Sequence, residues 1–494
     1  MADAALLSLA SVRIDPAWAF KVPEALALRR LALPLCVVEG ALEVAMADPA
    51  DAQAAAAIAA ATGLPVRVHA APAGEIRSEL LRVYGDVRAA QARDAASDPV
   101  AIVDRILRAA ALRQASDVHL NPRRDGLHVR MRIDGRLEEF TTLPADLASA
   151  VASRVKVLAS LDIAERRAPQ DGGFSWRMGG AGAFAATPLD VRMATLPVRH
   201  GERVTLRLLE TGGRRLGIAE LGMSDSDRAA FEAVLRRPHG LVLLTGPTGS
   251  GKTTTLYAAI RALLDASALN VLTVEDPVEY EIEDACQAEV DSGDKVSFAK
   301  ALRSLLRHDP DVIMIGEIRD ETSLDTAVKA ALTGHLVLST LHANDAPGAV
   351  TRLRDMGVAP HLLGATLRLC AAQRLVRRLC PACSRAVPLD AARAALLGRP
   401  DLAGRTVREP RGCLACAGRG HAGRIGLFEL MAPRADLASR IAAGAREDEL
   451  RTLLAADGVP TLGDDAAAKL LAGETDAGEI IRALGATSAG DAAT

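Results

Sequence analysis

Residues Gly246, Pro247, Thr248, Gly249, Ser250, Gly251, Lys252, Thr253 and Thr254 run from the apolar segment Leu241–Thr245 into a helical pattern. The spacing GxxxxGK followed by Thr, between a strand and a helix, is that of a loop whose backbone N–H groups fold around phosphate oxygens. Lys252 then reaches the β- and γ-oxygens, Thr253 holds Mg²⁺, and the helix N-terminus favours the added negative charge. Glu275-Asp-Pro-Val-Glu279 ends the next predicted strand. A carboxylate on that edge of a parallel sheet orients or deprotonates a water for attack on a γ-phosphate, although a solvated strand end has the same composition. Asp311-Val-Ile-Met-Ile-Gly-Glu317 puts an acid just past another short strand, and Gly316 stands where many phosphate-loop enzymes have Asp. Glu317 is therefore expected on the Mg²⁺ side. His335 and His342 flank a fourth strand, as hydrogen-bonding structural residues or as sensors of the γ-phosphate.

Cys380-Pro-Ala-Cys383 and Cys413-Leu-Ala-Cys416 make a second chemical group. Two CxxC knuckles bring four thiolates into a tetrahedron around Zn²⁺, and a site closed by four protein ligands is structural rather than catalytic. A redox role requires one CxxC near a βαβ unit and leaves the second unexplained. Cys36, Cys286 and Cys370 are expected to be buried thiols.

These groups need elements to hold them. At 494 residues the chain exceeds one hydrophobic core. A hydrophobic fraction of 49% with 24% charged residues excludes global disorder and coiled-coil composition. Apolar runs at Leu241–Thr245, Asn270–Glu275, Val312–Ile315 and Leu336–Thr340 alternate with helical segments, which implies an α/β domain with a mostly parallel sheet. Residues 100–210 show strand alternation around an Asp134-Gly135 turn, an α+β pattern, and residues 1–85 read as a small α/β module. Linkers are expected at 86–99 and around 211–217, and the chain beyond the cysteines is helical. No apolar stretch reaches the length of a membrane span, and no signal-peptide pattern opens the chain, so a cytoplasmic protein is expected. With a net charge of -3 and 2% aromatic residues, the composition argues against a nucleic-acid translocase, which needs a basic groove.

The segments GPTGSGKTTTLY (246–257), VEDPVEY (274–280), LRHDPDVIMIGEIRD (306–320) and TGHLVLSTLHAND (333–345) resemble the secretion ATPases of type II secretion and type IV pilus systems. There they are the Walker A, Asp box, atypical Walker B and His box. Ser116-Asp-Val-His-Leu, Arg130-Met-Arg-Ile-Asp-Gly135 and Pro169-Gln-Asp-Gly172 extend the resemblance upstream, so that it covers about residues 100–430. Ala343 departs from the relatives, which often have Thr there.

The resemblance implies a RecA-like ATPase core at 222–370. Before it come a partner-docking domain (1–85), a linker (86–99), a PAS-like second domain (100–212) and an interdomain linker (213–221). After the core come a tetracysteine module (371–424) and a helical region (425–494). The resemblance further implies Glu279 at the attacking water, Glu317 at Mg²⁺, His335 and His342 as the His-box pair, and Arg192 and Arg207 as arginines offered to the nucleotide; for both, the residues alone suggest a strand-face charge. The implied partners are a homohexameric ring, the cytoplasmic domain of an inner-membrane secretion protein bound by residues 1–85, and a polytopic inner-membrane platform protein, with any membrane contact indirect or peripheral. The cofactors are ATP, Mg²⁺ and Zn²⁺. Segments 294–303 and 348–357 look closer to the type II secretion branch than to the pilus-assembly branch, the alternative; a nucleotide switch is more distant, since Glu279 and Glu317 are both present.

Overall fold

The structure, a computed structural model, describes residues 6–84, 97–178, 188–210, 215–290 and 298–486. Residues 86–96 of the linker expected at 86–99, residues 211–214 of the one expected around 211–217, and the start of the 294–303 segment lie outside these residues. Two compact units partition the chain.

The first unit holds residues 1–213 together with 379–385 and 409–423. It begins with β1 (Ala32–Val38), β2 (Ala41–Met46) and β3 (Val66–Ala70), antiparallel then parallel. Between β2 and β3 lies the helix Ala52–Thr62, whose Asp51 cap accepts from Ala54 N–H at 3.0 Å, and the helix Ala73–Tyr84 comes after β3. Six further strands are β4 (Ala115–Arg123), β5 (Gly126–Ile133), β6 (Arg136–Leu143), β7 (Gln170–Trp176), β8 (Leu189–Val198) and β9 (Gly201–Glu210). They pair antiparallel in the order β6-β5-β4-β9-β8-β7. Asp134 and Gly135 both take positive φ, 47° and 82°, which is what a two-residue hairpin between right-twisted strands requires. Burial alternates along β5 and β8 because one sheet face packs on the helices Pro99–Leu112 and Ala148–Leu158, through Ile102, Ile106, Val151 and Val155.

The second unit is built on a seven-stranded sheet containing β10 (Gly240–Thr245), β11 (Val271–Glu275), β12 (Ala285–Glu289), β13 (Val312–Ile315), β14 (Leu336–Leu341), β15 (Leu367–Leu379) and, after the short pair β16 (Arg385–Pro388) and β17 (Thr406–Glu409), β18 (His421–Met431). The order is β12-β11-β13-β14-β10-β15-β18, and the pairings from β12 across to β15 are all parallel. β10, β11, β13 and β14 are buried throughout, as strands covered by helices on both faces must be. Four helices lie between Ala435 and Leu484. β10 and β14 run in register, Gly240 opposite Leu336 and Thr245 opposite Leu341, so the loops leaving Thr245 and Leu341 emerge at the same sheet edge.

Cys286 differs from its expected burial. It lies on β12, the edge strand of the sheet, and is exposed, whereas Cys36 and Cys370 are buried.

Candidate active site

The loop 246–251 turns directly from β10 into the helix Lys252–Ala266. Two of its glycines, Gly246 and Gly251, are dictated by space. A Cβ at Gly246, where φ is 147°, would sit 2.5 Å from the Gln373 carbonyl oxygen, and one at Gly251, where φ is 90°, would sit 2.8 Å from Gln373 Nε2. Pro247, Thr248 and Gly249 are exposed at the tip, while Ser250 is buried and its Oγ has no partner in the protein, an orphan that a ligand oxygen in the loop can satisfy. Thr253 is half-buried in the first helical turn and Thr254 is exposed. Lys252 Nζ donates to the carbonyls of Gly246 and Pro247 at 2.7 and 3.2 Å. Burial, with Arg374 adding to it, pushes the Lys252 ammonium down to about 8. An ammonium short of counter-charge at the start of a helix is a fitting receptor for triphosphate oxygens.

Carboxylates gather at the same edge. Glu317, just past β13, is ion-paired to Arg319 and lies 3.5 Å from His342 Nε2. Arg319 also reaches Asp276 at 2.8 Å, so one guanidinium joins the loops after β11 and β13. Burial, then the Lys252 charge, pushes the His342 pKa down and favours the neutral ring. The backbone of Ala343 exchanges hydrogen bonds with Thr245 Oγ1 at 3.0 and 2.7 Å. The main chain makes this link, so Ala in place of Thr at 343 leaves it intact.

Of the two acids ending β11, Glu275 is fully committed to structure. It is buried, bonded to Tyr257 Oη, and accepts from Thr273 Oγ1 at 2.6 Å and Gln287 Nε2 at 3.0 Å. Glu279 is half-buried in the next loop, its N–H donating to Tyr257 Oη at 3.2 Å. Tyr257 belongs to the helix that starts at Lys252, so the carboxylate loop is keyed to the phosphate-loop helix.

The two histidines part company. His342 sits at the phosphate-loop edge, but His335 precedes β14, with its carbonyl accepting from Gly240 N–H at the opposite edge. A six-residue strand separates them by roughly 20 Å. His335 Nδ1 is held by the Ala330 carbonyl at 3.0 Å. Arg192 and Arg207 belong to the first unit, directly opposite each other on β8 and β9, and Arg207 Nε lies 3.3 Å from Asp117.

The four cysteines come together as their spacing implies, with all four Sγ atoms within 4.8 Å of one another. Cys380 to Cys413, Cys383 to Cys416 and Cys413 to Cys416 are 3.9, 3.8 and 3.9 Å apart. Sulfurs about 2.3 Å from a tetrahedral zinc stand about 3.8 Å from one another, so the cluster fits Zn²⁺. Gly412, Cys413 and Gly420 N–H groups point at Cys383 and Cys416 sulfurs at 3.3, 3.2 and 3.2 Å. Burial works against the Cys416 thiolate, but the N–H donors from Cys413 and Gly420 outweigh it and hold its pKa down.

Several residues at the site were not given roles by sequence. Arg319 and Tyr257 stand inside matched motifs, yet neither type at its spacing announces a partner. Gln373 and Arg374 on β15 abut the loop from more than a hundred residues away: Thr255 Oγ1 donates to Gln373 at 3.0 Å across 118 positions, and Arg374 Nη2 donates to the Asn344 carbonyl at 3.0 Å. No local pattern could have found them.

Residues 92–482 match the family described as Type II/IV secretion system protein, and residues 2–90 match the MshEN domain. The chain is 46% identical over 383 residues to the type II secretion system protein E of Pseudomonas aeruginosa, covering 78% of this chain and 75% of that protein. It is 45% identical over 383 residues to the protein of that name from Pectobacterium carotovorum, with the same coverage. Among solved structures, the pilus retraction motor PilT with bound ADP superposes with a TM-score of 0.52 at 25% identity, over 77% of this chain and 96% of that one. With a phosphate loop on a parallel sheet and matches of this extent, the chain belongs to the type II/IV secretion system protein family and is a secretion ATPase of the type II branch.

Proposed function

We propose that this ATPase drives pseudopilus assembly for protein export across the outer membrane, working as a homohexamer in the cytoplasm, peripheral to the inner membrane. The observation that carries the catalytic part is the single sheet edge that gathers Lys252, His342, Glu317, Arg319 and Asp276. Lys252 and the loop N–H groups bind the phosphates, and Thr253 and Glu317 would hold Mg²⁺, which would supply positive charge against the phosphate oxygens. Glu279 orients and accepts a proton from the attacking water. His342, on Glu317, reports the γ-phosphate to the β14 loop. Arg192 and Arg207 supply positive charge to the nucleotide, which makes hydrolysis depend on the position of the domain that carries them.

The MshEN match at residues 2–90 and the family membership support docking of the N-terminal domain on an inner-membrane secretion protein, with a polytopic platform protein receiving the motion. Among the described residues no helix is long and apolar enough to cross a membrane, which accords with attachment through partners. The tetracysteine module holds structural Zn²⁺. A role in pilus assembly is the neighbouring reading within the family.

The test is phosphate release by the purified chain over a range of concentrations, alone and with anionic phospholipid or DNA, beside Lys252→Ala and Glu279→Gln. Turnover that rises with protein concentration or lipid and disappears in both variants supports the hexameric motor. Stimulation by DNA instead would revive a nucleic-acid translocase, and ATP binding without turnover under every condition would leave a nucleotide switch.

A further inference from the structure

The second cysteine knuckle groups with the N-terminal part of the chain, not with the sheet domain that surrounds it in sequence. Three kinds of contact hold it there. Leu414, between Cys413 and Cys416, packs on the core of the β1–β3 module, and its carbonyl accepts from Arg13 N–H at 3.0 Å. Arg411 donates from Nε and Nη2 to Glu39 Oε1 at 2.9 and 2.6 Å across 372 positions. At Gly418, where φ is 75°, an added Cβ would lie 2.1 Å from the Val37 carbonyl oxygen, so the knuckle backbone rests directly on the end of β1.

All three contacts fall within five residues of Cys413 or Cys416. This stretch has little regular structure of its own, only the single 3-10 turn Leu414–Cys416, and its shape is set by N–H groups turned toward sulfur. A loop of this kind keeps its conformation through the metal, because four unlinked thiols supply neither the cross-link nor the charge that orients those N–H groups. The surface that meets Glu39, Val37 and Arg13 therefore exists in full only while the site is loaded.

We propose that the zinc-loaded knuckle is the docking surface for the N-terminal module of its own chain, and that zinc occupancy and docking are coupled. The inference rests on the zinc reading of the four cysteines. Coupling is reciprocal: loss of zinc releases the module, and a docked module slows the loss of zinc. The N-terminal module is then held or freed by a metal site remote in sequence from both it and the phosphate loop.

The full chain tests this by two measurements, metal content with the rate of zinc transfer to a chelator, and deuterium uptake across residues 32–46 before and after chelation. The variants are Leu414→Asp, Glu39→Arg, Arg411→Glu and the last two combined. The expected results are zinc in the wild type, faster exchange at 32–46 once it is removed, and zinc release at least about fivefold faster in Leu414→Asp. Glu39→Arg alone should also quicken release, and the combined charge swap should restore the wild-type rate. A chain that binds no zinc overturns the metal reading and this inference with it. A chain that binds zinc but shows unchanged exchange at 32–46 after chelation, or unchanged release in Leu414→Asp, overturns the coupling alone.

Discussion

Lys252 is half-buried against the backbone carbonyls of Gly246 and Pro247 with Arg374 nearby, which pushes its pKa down to about 8 from the usual lysine range. Phosphate oxygens favour the charged ammonium, so the bound pKa is higher than the free one and binding takes up a proton at and above pH 8. Nucleotide affinity is therefore expected to be flat below about pH 7.5 and to weaken by up to about tenfold per pH unit above 8. Titration calorimetry in buffers of different ionisation enthalpy reads this directly, and binding without proton uptake at pH 8.5 would count against it. Tyr257 offers a separate test, since its hydroxyl meets both Glu275 and the Glu279 backbone while its ring stacks edge-on at 4.6 Å from Tyr280. Tyr257→Phe keeps the ring and leaves the buried Glu275 short of a partner. The expected outcome is about 1–2 kcal/mol of lost stability and a lower kcat with KM for ATP little changed, because the phosphate loop is untouched. An unchanged kcat would show that the carboxylate loop does not depend on this hydroxyl.

At the scale of elements, the sheet edge is made by strands that end together, and its other support is the C-terminal helix Ala477–Leu484 bound back to β15. Glu479, 2% exposed, accepts from Arg377 N–H at 3.0 Å and is paired with the Arg377 and Arg482 guanidinium groups at 3.0 and 2.7 Å. Burial opposes its charge, but those donors outweigh it and hold the carboxyl down to about 2. The folded value lies below the unfolded one of about 4.3, so this stabilisation is complete above that pH and is lost as the pH falls toward 2. Glu479→Gln should cost about 3 kcal/mol at pH 7, leaving two arginines without their acid. In denaturant titrations the gap to wild type should close between about pH 4 and 2. A gap that holds constant through that interval would mean the loss is one of packing and not of charge.

At the scale of the molecule, distant segments are joined by a few buried polar pairs. Within the first unit, Asp15 from the N-terminal module and Arg113 after the helix Pro99–Leu112 are 3.0 Å apart, and their side chains are only 10% and 6% exposed. Glu138 is the guanidinium's other acid, at 3.4 Å. Asp15→Asn leaves Arg113 buried with a weaker set of partners. Hydrogen exchange should then accelerate through residues 6–84 while the strands of the second unit keep their protection. Uniform acceleration in both units would instead mean that the chain unfolds as one cooperative body.

The phosphate loop, the acids after β11 and β13, the parallel sheet and the clustering of the four cysteines were all legible in the amino-acid order. Each is a local pattern: a loop and its helix occupy contiguous residues, a strand buried on both faces reads as an apolar run, and a CxxC knuckle closes over two residues. Residue type alone left Glu275 and Glu279 equivalent and only the resemblance chose Glu279; the structural reason for that choice, that Tyr257, Thr273 and Gln287 claim Glu275, is visible only in the fold. The same order placed His335 and His342 on either side of one strand, where they stand, but showed neither the Ala330 carbonyl that holds the one nor the Glu317 carboxylate beside the other. It gave no sign of Gln373 beneath the loop, of Arg319 between two loops, or of Leu414 against β1. Those are meetings of segments far apart along the chain, set by strand order and by which faces must be buried together, and only the folded molecule decides them.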